Sequence, residues 1–173
     1  YFALSNEWPW GLMEFIRLAK IKNLPLVCTL QNSYSLINRI VELGMTEIFF
    51  REKLSFFSYS PLGFGHLSGK YLKDPKASGR VNLFPGYAHR YNKSGVKKAI
   101  EKYDALAAKR NVSLTDLALS FVYSQWFVTS TVIGATNMNQ LKQNIAAYGL
   151  DIVDEELIQE IDAIHLNAMN PAP

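Results

Sequence analysis

The chain has 173 residues, 49% of them hydrophobic and 19% charged, which is enough apolar material for one packed domain and too much for a disordered segment. A net charge of +3, with the basic residues spread along the chain, argues against nucleic acid as a partner, and no apolar run approaches the length of a membrane span. Cys28 is the only cysteine and the three histidines, His66, His89 and His165, lie far apart, so neither an intrachain disulfide nor a metal site is expected and the cytoplasm is the expected compartment.

The first four residues, Tyr1-Phe2-Ala3-Leu4, already read as a strand, and no methionine precedes them. The expectation is therefore a piece of a longer protein, a single partial domain over residues 1–173. Ser5-Asn6-Glu7 ends the strand, and a helix is predicted over 10–22, with Leu12, Phe15, Ile16, Leu18 and Ala19 at helical spacing and Asn23 as its stop. A buried strand is predicted over 25–30 and ends at Gln31-Asn32. A second helix is predicted over 35–47 and a third strand over 54–58. Residues 72–93, broken by Pro75, Gly79, Pro85 and Gly86, have no clean period and read as a long binding or lid loop. Helices follow over 95–110 and from Ser113-Leu114-Thr115-Asp116 to about residue 125. A β-branched strand over 129–133 ends at Gly134-Ala135-Thr136-Asn137. A helix then runs to about residue 148, and a last one over 154–165 carries acidic residues in its first turn.

Repeated βα units imply an α/β fold with a parallel sheet, and ligands of such sheets sit beyond the carboxyl ends of the strands. Those ends here carry small polar, amide or aromatic groups. Ser5, Asn6 and Gln31 suit either turn capping or an amide ligand such as a nicotinamide carboxamide. Tyr59 suits either packing or stacking on a flat heterocycle with its hydroxyl left in water. In Tyr59-Ser60-Pro61-Leu62-Gly63-Phe64-Gly65, continued by His66-Leu67-Ser68-Gly69-Lys70, the glycine spacing matches neither a Rossmann nor a Walker loop, and no clean helix start follows. Glycines still let a backbone approach something closely, and Lys70 and Arg80 put positive charge on the same loop, where each is either a solvated surface group or a phosphate partner. Gln140 and Asn144 share a helix face with Gln143 beside them, an exposed polar face or the border of a ligand. Trp8 and Trp10 flank Pro9 and either pack or wall such a site.

Taken in order, Leu4-Ser5-Asn6, Leu30-Gln31-Asn32, Tyr59-Ser60-Pro61-Leu62-Gly63, Gly69-Lys70-Tyr71 and Gly134-Ala135-Thr136 with Gln140-Leu141 and Asn144 resemble the aldo-keto reductases, nearest their bacterial Tas-like branch, with potassium-channel β-subunits more distant. The resemblance covers nearly the whole chain. It implies the C-terminal half, the last four βα units, of a (β/α)8 TIM barrel that binds NADP(H) in extended form. By motif, Ser5, Asn6 and Gln31 would hold the carboxamide and Tyr59 would stack on the nicotinamide. Ser60, Pro61, Leu62, Gly63 and Gly65 would line the pyrophosphate path. Lys70 and Arg80 would meet phosphates, Arg80 the 2′-phosphate, and Gly134, Thr136, Gln140, Gln143 and Asn144 would surround the adenosine end. A full barrel needs roughly 250 residues, so the family's catalytic Asp, Tyr, Lys and His have no counterpart here.

The implied function is reduction of small carbonyl substrates, aldehydes and ketones, by an oxidoreductase whose N-terminal half of the barrel is the missing partner. The alternative is a non-catalytic nucleotide-binding or regulatory module akin to the channel β-subunits. A third reading is a complete four-stranded α/β protein of unrelated function. Neither substrate nor oligomeric state is legible, and a homo-oligomer stays open.

Overall fold

A computed structural model describes every residue except Pro85 and Tyr87, so the expected break at Pro85 lies outside the described residues. Four parallel strands form one sheet in sequential order: β1 (Phe2–Ser5), β2 (Val27–Ser33), β3 (Ser55–Tyr59) and β4 (Ser130–Val132). The helices are α1 (Pro9–Ile21), α2 (Met45–Glu52), α3 (Lys70–Lys73), α4 (Arg80–Leu83), α5 (Ser94–Lys109), α6 (Leu114–Ser124), α7 (Met138–Ala146) and α8 (Glu155–Leu166).

Local chemistry explains most of the boundaries. Pro9 starts α1, where a missing N–H costs nothing. Asn23, at φ +50°, ends it as expected, and the Leu24 N–H reaches back to the Ala19 carbonyl at 2.9 Å. Ser113, Asn137 and Asp154 cap α6, α7 and α8 by accepting from backbone N–H groups three residues on. Pairing in β2 begins at Val27, past Pro25, which has no N–H to give. It runs on through Gln31, Asn32 and Ser33, which pair with Phe57, Ser58 and Tyr59, so the expected end at Gln31-Asn32 lies inside the strand.

The expected helix over 35–47 does not form before Met45, where α2 begins. Ser35 and Asn38 exchange two backbone hydrogen bonds at 3.0 Å, a single 3-10 turn covers Ile40–Glu42, and Gly44, at φ +103°, resets the chain before α2. The Asn38 amide donates to the Ser33 hydroxyl at 2.7 Å, a side-chain bond that competes with helical backbone pairing. Tyr34, Leu36 and Ile37 drop into the core within four residues, each fully buried, which one face of a helix could not arrange. The segment after Gly69 also differs from expectation, because the one-turn helix α3 follows it directly.

The two sheet faces differ. Leu30 and Phe56 are fully buried on the covered face, where Phe49 from α2 stacks on Phe56 at 5.0 Å between ring centroids. On the opposite face Ala3, Ser5, Ser130 and Val132 are exposed, and Thr29, Gln31, Phe57 and Tyr59 are half-buried. Parallel sheets are normally covered on both faces, so the open face is the unusual one. It is also the face that carries Ser5, Gln31 and Tyr59.

Candidate binding site at the strand ends

Three neighbouring strands deliver residues from their carboxyl-terminal parts to one place. The Ser5 hydroxyl donates to the Gln31 carbonyl at 3.1 Å and lies 3.5 Å from Gln31 Oε1. Asn6, in the left-handed region at φ +57°, donates its backbone N–H to the same carbonyl at 3.0 Å. Its side-chain Nδ2 donates to Ser5 Oγ at 3.2 Å. The Tyr59 hydroxyl donates to Asn6 Oδ1 at 2.6 Å, across 53 residues of sequence. The expected water-facing hydroxyl is therefore engaged, because the β1–β2–β3 order brings Tyr59 within reach of the turn after β1.

Asn6 and Tyr59 border a cleft of about 410 Å³ that Trp8, Asn32 and Arg90 also line. Trp8 thus does wall the cleft, whereas Trp10, 79% exposed, is not among its lining residues. Asn32 Nδ2 donates to the Glu7 carbonyl at 2.9 Å, while its buried Oδ1 has no partner among the described residues. Arg90 reaches the cleft from a 3-10 turn at His89–Tyr91, and nothing in the local sequence marks it.

The glycine loop rises from the same edge. Ser60, Gly63, Gly65 and Gly69 all have positive φ, and a Cβ on Gly63 would come within 2.9 Å of Ile37 Cδ1, so that turn needs glycine. Pro61 and Gly63 are buried and Leu62 is half-buried, which makes this arm of the loop a fixed shelf. Lys70 Nζ donates to the Ser78 carbonyl at 3.1 Å and lies 4.8 Å from the centroid of the Tyr71 ring. A Cβ on Gly79 would collide with both the Lys70 ammonium and the Tyr71 hydroxyl, so Gly79 is what lets them close over the backbone. The Arg80 guanidinium sits 5.7 Å from the centroid of Phe64. Among the described residues neither Lys70 nor Arg80 has a carboxylate partner within ion-pair distance, so both charges stay available to an anion. Behind the loop, burial and then the nearby Lys70 hold the His66 imidazolium below its ordinary range.

Beyond β4, Gly134 and Thr136 are exposed. Gln140 Oε1 accepts from the Thr136 N–H at 2.9 Å and from its hydroxyl at 3.0 Å. Asn144 is only 2% exposed and donates to the Gly134 carbonyl at 3.1 Å. Gln143 turns the other way and donates to Ser113 and Asp116 at the start of α6, both at 3.1 Å. The structure therefore joins Gly134, Thr136, Gln140 and Asn144 in one turn and spends Gln143 on the seam between α7 and α6.

Among the described residues no group of three or more His, Cys, Asp or Glu could hold a metal ion, and no helix is long and apolar enough to cross a membrane. The arrangement offers an uncharged donor–acceptor set on an open sheet face, a close-approach backbone beside it and two uncompensated cations further out. Such a set suits an elongated ligand with an amide-bearing ring at one end and phosphates along its length.

The sequence profile of the Aldo/keto reductase family matches residues 1–165. The chain is 40% identical over 173 residues to "Protein tas" of Escherichia coli (strain K12), covering 100% of this chain and 50% of that protein. It is 37% identical over 179 residues to an "Aldo-keto reductase" of Babesia bovis, covering 99% of this chain and 62% of that protein. A "Probable voltage-gated potassium channel subunit beta" of Oryza sativa subsp. japonica is 27% identical over 172 residues, covering 90% of this chain and 51% of that one. The chain spans about half the length of the first of these relatives.

Proposed function

The chain belongs to the aldo/keto reductase family, and from that premise we propose that it is the NADP(H)-binding part of a reductase of aldehydes and ketones. One observation carries the reading: Ser5, Asn6, Gln31 and Tyr59 come together on the uncovered face at the carboxyl ends of adjacent parallel strands. The four βα units are then the last four of a (β/α)8 barrel, residues 1–173 are one partial domain, and the remaining barrel strands are the partner that covers the open face. The cytoplasm is the matching compartment.

NADPH, when bound, supplies the hydride. The residues of this chain bind and orient it. Ser5, Asn6 and Gln31 present hydrogen-bonding groups for the carboxamide, and the Tyr59 ring is a stacking surface beside them. The shelf of Ser60, Pro61, Leu62, Gly63 and Gly65 lies along the pyrophosphate, Lys70 and Arg80 meet phosphates, and Gly134, Thr136 and Gln140 border the adenosine end. Asn144 and Gln143 act indirectly, by holding α7 against residue 134 and against α6. Reducing a carbonyl also requires a proton donor, worth about 10²–10⁴-fold in rate. None of these residues is placed for that step, so the donor is assigned to the other barrel strands.

Fluorescence titration of the protein, with its remaining barrel strands present, against NADPH and NADH tests the reading. NADPH is expected to bind more tightly, and Arg80→Ala to weaken NADPH by about ten-fold to a hundred-fold, the loss of a charge-assisted contact of about 1.5–3 kcal/mol, with NADH nearly unmoved. An equal loss for both cofactors removes the 2′-phosphate role from Arg80. No NADPH binding at all overturns the function.

A further inference from the structure

Resting on that cofactor reading, we propose that the Tyr59 hydroxyl is a positioning group: it sets the direction of the Asn6 side-chain amide and thereby the preference of the site for a carboxamide over other ring substituents. The two ends of an Asn side chain have nearly the same shape, so only hydrogen bonding decides which one faces where. Here the decision can be followed atom by atom. The Gln31 carbonyl can only accept, so the single hydroxyl proton of Ser5 is given to it at 3.1 Å. Ser5 Oγ then has only lone pairs left, and Asn6 must turn its NH₂ toward Ser5, which it does at 3.2 Å. That leaves Asn6 Oδ1 facing Tyr59, whose hydroxyl must donate, and the contact closes at 2.6 Å. One backbone carbonyl thus fixes the sense of a four-residue chain, and Tyr59 locks its free end.

The lock matters because Asn6 is exposed and sits in a turn at φ +57°. Without Tyr59 only the 3.2 Å bond to Ser5 restrains the side chain. With Tyr59 in place, Asn6 keeps one lone pair of Oδ1 and one N–H of Nδ2 pointing away from the chain, a fixed acceptor beside a fixed donor. A primary carboxamide supplies both complementary groups, whereas an acetyl group supplies an acceptor alone. The same bond holds the Tyr59 ring across the open face, so stacking surface and amide are set together.

The test is a titration of the protein with its remaining barrel strands present, and of its Tyr59→Phe, Asn6→Ala and doubly substituted forms, with NADPH and with the reduced 3-acetylpyridine analogue of NADPH. Tyr59→Phe keeps the ring and removes only the donor. It is expected to weaken NADPH by about three- to ten-fold, the net worth of one hydrogen bond, and the acetyl analogue by a smaller factor. The double substitution is expected to lose no more than Asn6→Ala alone, because both act on the same bond. In the cofactor-free protein the Asn6 side-chain amide resonance is expected to move on Tyr59→Phe. Equal losses for the two ligands, additive losses, or an unmoved Asn6 resonance overturns the proposal and leaves the cofactor reading standing. No NADPH binding by that wild-type protein overturns the cofactor reading instead and takes the carboxamide preference with it.

Discussion

The two faces of the sheet follow different rules. On the covered face Leu30 and Phe56 are fully buried, and Phe49, Tyr34 and Phe127 surround Phe56 with ring centroids 5.0, 6.3 and 6.0 Å away. On the open face the residues are small, polar or amphipathic, and they bond to one another across strands. The covered face buries apolar area and supplies stability, whereas the open face holds hydrogen-bonding groups in place and leaves them accessible. The strands that carry the site are anchored by the apolar packing on their other side.

Surface area gives the contrast a scale. The chain exposes 10118 Å² at 19.6 kDa, whereas a compact monomer of this mass exposes about 8,600 Å². The difference, roughly 1,500 Å² on this chain alone, is about twice the roughly 800 Å² that one partner of a standard interface buries. Exposed Phe2, Val132, Ile145 and Tyr148 lie along or beside the two sheet edges, where further strands would pair.

Substitutions on the two faces should therefore separate sharply. Phe56→Ala leaves a cavity in the covered face and is expected to cost about 3–5 kcal/mol of unfolding free energy. Phe57→Ala, one residue on and half-buried on the open face, is expected to cost no more than about 1 kcal/mol. Urea titration of both variants checks this, and similar losses would mean that the open face carries core-like packing of its own.

A smaller effect is expected in solution behaviour. With an uncovered face and two unpaired edges, the chain by itself is expected to associate, and to show no NADPH oxidation with a reactive aldehyde above buffer. Size-exclusion chromatography with light scattering, together with that assay, decides it. A monodisperse monomer would show that the open face needs no cover, and turnover would place a proton donor on this chain.

The smallest expected effect concerns pH. His66, by burial and then by Lys70, and His165, by burial and then by Arg39, both titrate below their ordinary value of 6.5 in the folded protein. The unfolded chain therefore binds more protons just below that pH. The stability these groups contribute is full above about pH 6.5 and is lost as pH falls through it toward the folded values. The urea midpoint should drop between about pH 7 and about pH 5, and His66→Gln should flatten part of the drop. A midpoint that rises over this interval would contradict the burial of both rings.

Much of this was legible in advance where the cause is local. Ser113 and Asp154 start the helices that follow them, and Asn23 ends α1, because an oxygen or a left-handed turn acts on neighbours within a few residues. The βα order implied parallel strands, and the sheet is parallel. The segment over 35–44 was not legible, since its apolar spacing is near-helical while its path is set by Ser33, Asn38 and Gly44. The partner of Gln143 was not legible either: helix spacing places it beside Gln140 and Asn144, yet its bonds go to the start of α6.

By itself, then, the sequence determined the strands, most helices and the polar character of the strand ends, because those follow from chain stereochemistry and short-range hydrogen bonding. Tertiary structure alone decided which end groups meet. The Tyr59 hydroxyl reaches Asn6 across 53 residues only because β1, β2 and β3 are neighbours in register. Lys70 reaches the Ser78 carbonyl and Arg80 the Phe64 ring only because the chain folds back near Gly79. Contacts of that range depend on the global packing of the sheet, and no local pattern of residues encodes them.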